Sequence, residues 1–457
     1  MTERTREIIE LPVKDLAFDG KSVGDLDGKI VFLNGGLPGE RVRAEIIRKK
    51  SRYNIARVVE IIERSPERIE PRCRHFGECG GCTWQDLDYE RQLFYKRKQV
   101  VDCLEHIGRL NNIEVTEPLG APEQFHYRNK MEFSFNTAPD NNFTLGLHKR
   151  GHFDEIFDLT ECRLTSVTAV KIVAWFREFV RENGIPAYDV TNHTGFLRFL
   201  MIREAKNTGQ IMINIVTTNG TIPKEDELIA RVRQNFPEVT TIVHNINNQK
   251  SNIAKGETET VLSGDGYIEE KILGRIFRIY ANSFFQTNSG QTENLYRTAI
   301  EFLNPSPNDR LLDLYCGSGT IGICASGHLE KVIGVELEPA AIEAARENAL
   351  ANNIDNIEFH IGSAQKLMPA SPEIFKHLTC AVVDPPRAGI HKKALIKLAE
   401  FGYPRLVYIS CNPSTFARDA SFLVNSEYIL RKVIPVDMFP HTMHIELVSL
   451  FEKKIGA

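Results

Sequence analysis

The sequence predicts an α/β protein in three parts. These are a small OB-like β-barrel over residues 1–63, a central α+β domain over 64–280 and a Rossmann-like, doubly wound domain over 281–457. Three observations carry this. Short β-rich runs separated by glycines fill the N-terminal stretch, a mixed region without a nucleotide fingerprint follows, and from 281 onward strand, glycine turn, helix and strand succeed one another. A chain of 457 residues also exceeds what one hydrophobic core supports, so several domains are expected.

In the first part the runs are Val31-Phe32-Leu33, Arg41 to Ile47 and Ile55 to Ile62, punctuated by Gly20, Gly24, Gly28, Gly35, Gly36 and Gly39. Short strands at that spacing read as a barrel. Arg41, Arg43, Arg48, Lys49, Lys50, Arg52 and Arg57, with Tyr53 among them, form the most basic stretch of the chain. Nearly one-signed charge with an interleaved aromatic favours phosphate binding over a merely solvated strand edge. The net charge of −4 means that any nucleic-acid surface is a local patch.

Hydrophobic content of 42% and charged content of 25% are ordinary for globular protein. The N-terminus is charged and lacks an apolar segment, so no secretory signal is expected. No apolar run approaches the roughly 20 residues of a membrane helix. Nine cysteines, several in close pairs, then favour thiols, metal ligands or a nucleophile over disulfides, and the cytoplasm is the expected compartment.

Ser65 to Arg72 reads as a linker. Residues 86–107 have apolar positions at helical spacing and read as one helix. The strand-like runs Lys130 to Phe135, Gln210 to Val216 and Thr240 to Asn245 alternate with one or two helices in the central region.

In the C-terminal part, LLDLYCGSGTIGICAS is an apolar strand running into Gly317-Ser318-Gly319 and a small-residue helix. Glycines there let the backbone approach a ligand. The next strand ends at Glu336, about 20 residues beyond the turn, where a carboxylate accepts the ribose hydroxyls of a nucleoside cofactor. The turn lacks the third glycine that packs a pyrophosphate, and Asp313 precedes it. A phosphate-free cofactor, S-adenosylmethionine, fits better than a dinucleotide. The strand TCAVVDPPRAG ends in Asp384-Pro385-Pro386-Arg387, and two prolines there cannot continue a ladder, so they build a rim at the ligand edge.

Cys411 lies just past the strand LVYIS, on the same edge as Gly317, Glu336 and Asp384. Cys103, Cys316, Cys324 and Cys380 read as buried small hydrophobes. A thiolate suits chemistry at carbon 5 of uracil, because that carbon attacks a methylsulfonium only after a nucleophile has added to carbon 6. A base must then remove the carbon 5 proton. Glu446, between Ile445 and Leu447 in the terminal strand, is the best candidate, although its spacing equally allows a solvent-facing side chain.

DLYCGSGTIG, DPPRAG, ISCNPSTFARD and HTMHIELVSL together resemble the motifs of the RNA uridine-5 methyltransferases that act on transfer and ribosomal RNA, and the N-terminal part resembles the TRAM barrel of the ribosomal-RNA members. The resemblance spans essentially the whole chain. It implies a class I methyltransferase fold for the C-terminal domain, Cys411 as nucleophile and Glu446 as base. It places cofactor contacts on Gln286, Tyr315, Glu336 and Asp384, and on Ser363, where methyltransferases often carry an acidic residue for the adenine. Phe284-Phe285 reads equally as an RNA-stacking pair or as core.

Cys73, Cys79 and Cys82 form a Cys-x5-Cys-x2-Cys pattern that by itself admits zinc or iron–sulfur. The spacing resembles the family's 4Fe–4S site with Cys162 as distant fourth ligand, which leaves no open position for substrate. Barrel and cluster together point to 23S rRNA as the RNA partner, ahead of a transfer RNA. No membrane or obligate protein partner is implied, and a monomer is the default. Cytosine methylation would require a cysteine in the DPPR motif, and an amine methyltransferase would leave Cys411 unexplained. A non-catalytic iron–sulfur RNA-binding protein would not need Cys411 and Glu446.

Overall fold

The computed structural model describes residues 7–137, 143–152, 154–250 and 253–454. Strands β1 (Ile8–Leu16), β2 (Ser22–Leu26), β3 (Lys29–Asn34), β4 (Arg41–Lys49) and β5 (Tyr53–Glu63) close into a barrel in the order β1-β2-β3-β5-β4. Alternate residues Ile9, Leu11 and Val13 of β1 point inward onto Val31, Leu33, Val42, Ala44 and Ala56. The basic stretch is not one-signed in three dimensions. Arg43 pairs with Glu10 (2.7 Å) and Glu60, Lys49 with Glu7, and Arg57 with Glu45 (2.9 Å). Two of those acids come from β1 or its approach, which pairs edge to edge with β4. For Arg48, Lys50 and Arg52, no ion pair occurs among the described residues.

Helix α1 (Tyr89–His106) is capped by Asp88, whose carboxylate accepts from the Glu90 amide (3.0 Å). The central sheet contains β6 (Lys130–Thr137), β7 (Phe143–His148), β8 (Ile156–Asp158), β9 (Leu197–Glu204), β10 (Ile211–Thr217), β11 (Val239–Ile246) and β12 (Thr258–Ser263), in the order β12-β11-β10-β9-β6-β7-β8. Helix α2 (Val167–Glu182) lays Ile172, Val173, Phe176 and Phe179 against Phe133, Leu145, Leu200 and Ile213 of that sheet, and α3 (Glu225–Asn235) adds Leu228 and Val232. The hairpin β13 (Tyr267–Ile272) and β14 (Arg275–Tyr280) follows. Its Ile268, Ile272, Phe277 and Ile279 join the core of the C-terminal sheet.

That sheet is built from β15 (Arg310–Leu314), β16 (Lys331–Glu336), β17 (Ile357–Ile361), β18 (Cys380–Val383), β19 (Arg405–Ser410), β20 (Tyr428–Val436) and β21 (Glu446–Lys453), in the order β17-β16-β15-β18-β19-β21-β20. Its first five strands are parallel, whereas β21 runs antiparallel to both β19 and β20. Helices α4 (Ser289–Leu303), α5 (Thr320–Ala325), α6 (Pro339–Ala351), α7 (Ala364–Ala370), α8 (Lys392–Phe401) and α9 (Pro413–Asn425) complete the domain. Leu312, Leu314, Ala381, Val383, Leu406 and Tyr408 face one side. Leu311, Val382, Val407 and Ile409 face the other. Both faces are buried, which is why these strands read as continuous apolar runs. Sequence neighbours part on either side of β15, so a crevice opens at the carboxyl ends of β15, β16 and β18.

Helix α1 packs on α9 of this domain, with Cys103 Sγ 3.6 Å from Ser414 Oγ. The strand-like stretch after it bridges β20 at Val115↔Val433 and Leu119↔Val436. Among the described residues no helix is long and apolar enough to cross a membrane.

Candidate active site

The crevice is a cleft of about 1740 Å³ between the carboxyl edge of the C-terminal sheet and the central sheet. Gln286, Tyr315, Glu336, Ser363, Asp384, Cys411 and Glu446 all line it. Seven residues spread over 161 positions of sequence thus reach one cavity.

At its cofactor end the chain leaves β15 through Tyr315 (φ 67°), Gly317 (φ 54°) and Gly319 (φ 77°). Left-handed backbone is costly for a tyrosine, so the tight turn is held by its surroundings. The amides of Tyr315 and Cys316 donate to the Val335 carbonyl (2.9 and 3.1 Å). A side chain at Gly319 would come within 2.9 Å of Phe359, whereas Gly317 faces open space on the ligand side. Buried Asp313 accepts from the Gly322 amide (2.8 Å), and burial pushes its carboxyl up to about 7.

The Glu336 carboxylate is oriented by three amides, those of Leu337 (2.6 Å), Glu338 (3.1 Å) and Gly317 (3.2 Å). Its remaining lone pairs are free for hydroxyl donors. Ser363 Oγ is buried without a hydrogen-bond partner among the described residues, an orphaned group that an adenine would satisfy. Gln286 is held by its own backbone carbonyl, which accepts from Asn129 Nδ2 (3.0 Å). This donor and acceptor set fits a nucleoside cofactor without phosphates.

At the reacting end, Asn412 caps α9 through the amides of Ser414 (3.0 Å) and Thr415 (3.5 Å), which puts Cys411 immediately before a helix N-terminus. Asn412 Nδ2 also donates to the Arg387 carbonyl (3.0 Å), tying the cysteine turn to the DPPR rim. Burial pushes the Cys411 thiol up to about 12, helped by the charges of Glu446 and Asp384 and opposed by Arg387. Burial likewise raises Asp384 to about 7. Glu446, 6% exposed, lies well above the ordinary carboxylate range because of burial first and Asp384 second. Its side chain points into the cleft, which resolves the two orientations that its spacing allowed. Phe284 and Phe285 divide, with Phe285 5% exposed in the core and Phe284 75% exposed on the cleft wall.

These features occur on a chain with extensive relatives. A family model described as tRNA (Uracil-5-)-methyltransferase matches residues 233–454, and the TRAM domain model matches residues 3–59. An uncharacterized RNA methyltransferase of Chlorobaculum tepidum is 40% identical over 98% of this chain and 97% of its own length. One from Caldanaerobacter subterraneus is 39% identical over 98% and 99%. The chain belongs to the RNA uracil-5 methyltransferase family. It is an S-adenosylmethionine-dependent RNA (uracil-5-)-methyltransferase with an N-terminal TRAM barrel and a class I methyltransferase domain. Among solved structures, the Pyrococcus abyssi tRNA (uracil-54, C5)-methyltransferase in complex with S-adenosyl-L-homocysteine is similar over 97% of this chain and 100% of that one, with a TM-score of 0.78 and 30% identity.

Two groups of residues that serve this methyltransferase's cleft receive no role from the sequence alone. One is the pair Arg387–His444, in which Arg387 donates to His444 Nδ1 at 2.9 Å. The other is a buried anchor beneath the segment between β20 and β21. Lys96 of α1 binds Asp437 (2.5 Å) and the Phe439 carbonyl (3.1 Å), and Tyr89 donates to Asp437 (2.8 Å). Gln92 receives the His441 amide (2.9 Å), and the His441 carbonyl accepts from the amides of Thr83 and Trp84 (2.9 and 3.1 Å). That segment carries His444 to Glu446 into the cleft.

Thr83 directly follows the cysteine motif. Cys73, Cys79, Cys82 and Cys162 are free thiols, and proximity to Cys73 adds to the burial that raises the pKa of each of the other three. Cys79 Sγ accepts from the Gly81 amide (3.3 Å) and Cys82 Sγ from Gln85 Nε2 (3.4 Å). Among the described residues, however, no three or more such side chains close around a common metal position. The donor chemistry of four thiols fits a thiolate-bound cluster.

Proposed function

We propose that the enzyme methylates carbon 5 of a uridine in 23S rRNA through a covalent adduct between Cys411 and carbon 6. The convergence of Cys411, Asp384 and Glu446 on one cleft beside the cofactor turn carries this reading. S-adenosylmethionine supplies an electrophilic methyl group, held by Gln286, Tyr315, Glu336, Ser363 and Asp384. Cys411 sulfur bonds to carbon 6 as a thiolate, and the ring's π pair moves toward carbon 5 and O4. After methylation Glu446 takes the carbon 5 proton, and the carbon–sulfur bond breaks to return the thiolate. The Glu446 carboxylate suits that step, since a raised affinity for protons makes it the stronger base.

A neutral thiol must lose its proton to solvent before attack, and the partly exposed Cys411 can do so. Arg387 and the N-terminus of α9 both favour the thiolate, and a cationic methyl donor bound at Asp384 would offset the two carboxyls that oppose it. The target base must leave its stack to reach the cleft, where the exposed Phe284 ring offers it a face. The barrel and the central domain hold the surrounding RNA, with Arg48, Lys50 and Arg52 as phosphate contacts. Cys73, Cys79, Cys82 and Cys162 hold a 4Fe–4S cluster in a structural role, since four thiolates leave no site for substrate.

A transfer RNA is the second reading, favoured by the likeness of the Pyrococcus abyssi enzyme over 97% of this chain, barrel included. The barrel therefore does not separate the two RNA classes. Methylation of unmodified ribosomal and transfer RNA by labelled S-adenosylmethionine, with nucleoside analysis, tests both. Expected is 5-methyluridine in ribosomal RNA; label confined to transfer RNA overturns the substrate, and no label in either overturns the function. Iron and acid-labile sulfide measured on the same anaerobically purified protein test the cluster, and their absence, or zinc instead, overturns it.

A further inference from the structure

Resting on the covalent reading above, the geometry points to His444 as a catalytic hydrogen-bond donor that stabilises negative charge on uracil O4 during attack by Cys411. An arginine guanidinium has donors only, so a ring nitrogen 2.9 Å from Arg387 must be an acceptor. His444 Nδ1 therefore carries a lone pair, and the proton of the neutral ring sits on Nε2. The ring stays neutral because burial, then Arg387, pushes its pKa down to about 4. Lys96 and Arg128 act in the same direction.

His444 lines the cleft with Cys411, Asp384 and Glu446, and Nε2 has no hydrogen-bond partner among the described residues. Its backbone is fixed by the bond from its amide to Thr442 Oγ1 (3.2 Å), and the ring packs edge-on against Phe439 at 5.9 Å. The donor is thus oriented before substrate arrives, which is the condition for stabilising charge that develops only in the transition state.

Attack at carbon 6 calls for a donor at O4. When sulfur bonds to carbon 6, the carbon 5–carbon 6 π pair is delocalised onto O4, beside the Asp384 and Glu446 carboxyls, which repel it when ionised. Asp384 and Glu446 accept when ionised, and Arg387 gives one of its N–H groups to His444. No proton moves from His444; the Nε2–H bond to O4 shortens as charge grows and relaxes when the proton leaves carbon 5.

The test measures the rate of covalent adduct formation in a single turnover, with a substrate RNA carrying 5-fluorouridine at the methylated position and S-adenosylmethionine present. His444→Ala is expected to slow the adduct about 10²-fold, with RNA and S-adenosylmethionine affinities unchanged. His444→Gln, whose amide nitrogen reaches the place of Nε2, is expected to recover part of the rate. An adduct formed by His444→Ala within threefold of wild type overturns the proposal. So does equal impairment of His444→Gln and His444→Ala in proteins that bind both ligands normally. Failure of the wild-type protein itself to form any adduct would instead overturn the covalent reading.

Discussion

Glu446→Gln will stall after methyl transfer and accumulate a denaturation-resistant protein–RNA complex joined at Cys411. The amide keeps the size and hydrogen bonding of the side chain but cannot take the carbon 5 proton, so elimination has no base. Loss of a positioned general base costs about 10²–10⁴ in rate, and turnover falls by that factor while the first methyl transfer proceeds. The substitution also removes a carboxyl whose burial is unfavourable when ionised. That cost sets in as pH rises through the ordinary carboxylate range, so above it the variant should be no less stable than wild type. Denaturing gels of a reaction with labelled RNA read the complex directly. Normal release of 5-methyluridine at the wild-type rate would assign the proton to another base.

Lys96→Met will destabilise the protein strongly and loosen the cleft. Lys96 and Asp437 are each 1% exposed, and burial lowers the lysine's pKa even though Asp437 opposes the shift. Desolvation thus outweighs attraction, and the pair's net worth against an apolar pair is small. Removing Lys96 alone leaves the Asp437 carboxyl buried with, among the described residues, only the Tyr89 hydroxyl as side-chain partner, and breaking a buried pair in this way costs about 3–5 kcal/mol. Urea unfolding measures this. The double variant Lys96→Met, Asp437→Leu should recover much of the stability yet methylate slowly, because the segment bearing His444 and Glu446 loses its tether to α1. Full stability of the single variant would remove the pair from the account.

How far the sequence reached depends on the range of the interaction. Tyr315, Glu336, Asp384 and Cys411 follow strands that are continuous apolar runs, so the pattern alone sets them on one sheet edge. The orientation of Glu446 is different in kind. Ile445 and Leu447 beside it are also buried, because β21 lies inside the sheet with both faces covered, and period-two alternation carries no information there. On α1, Gln92, Lys96 and Gln99 occupy the buried stripe, where a count of apolar positions passes over them. Two of their partners, Asp437 and His441, lie more than 300 residues away. The basic barrel stretch was legible as composition, but Glu10 neutralises Arg43 across a strand pairing 33 residues distant. Strand β1 has inward Ile9, Leu11 and Val13 at period two, a signal masked by its charged outward residues. The tautomer of His444 depends on an arginine 57 positions earlier, and no local pattern encodes it.

The measurement closest to the central claim is transfer of labelled methyl from S-adenosylmethionine to RNA by wild-type protein and by Cys411→Ala, with S-adenosylmethionine affinity determined for both. Wild type is expected to yield 5-methyluridine and Cys411→Ala none, with equal cofactor affinity. Methylation of carbon 5 by Cys411→Ala at a rate near wild type would contradict it.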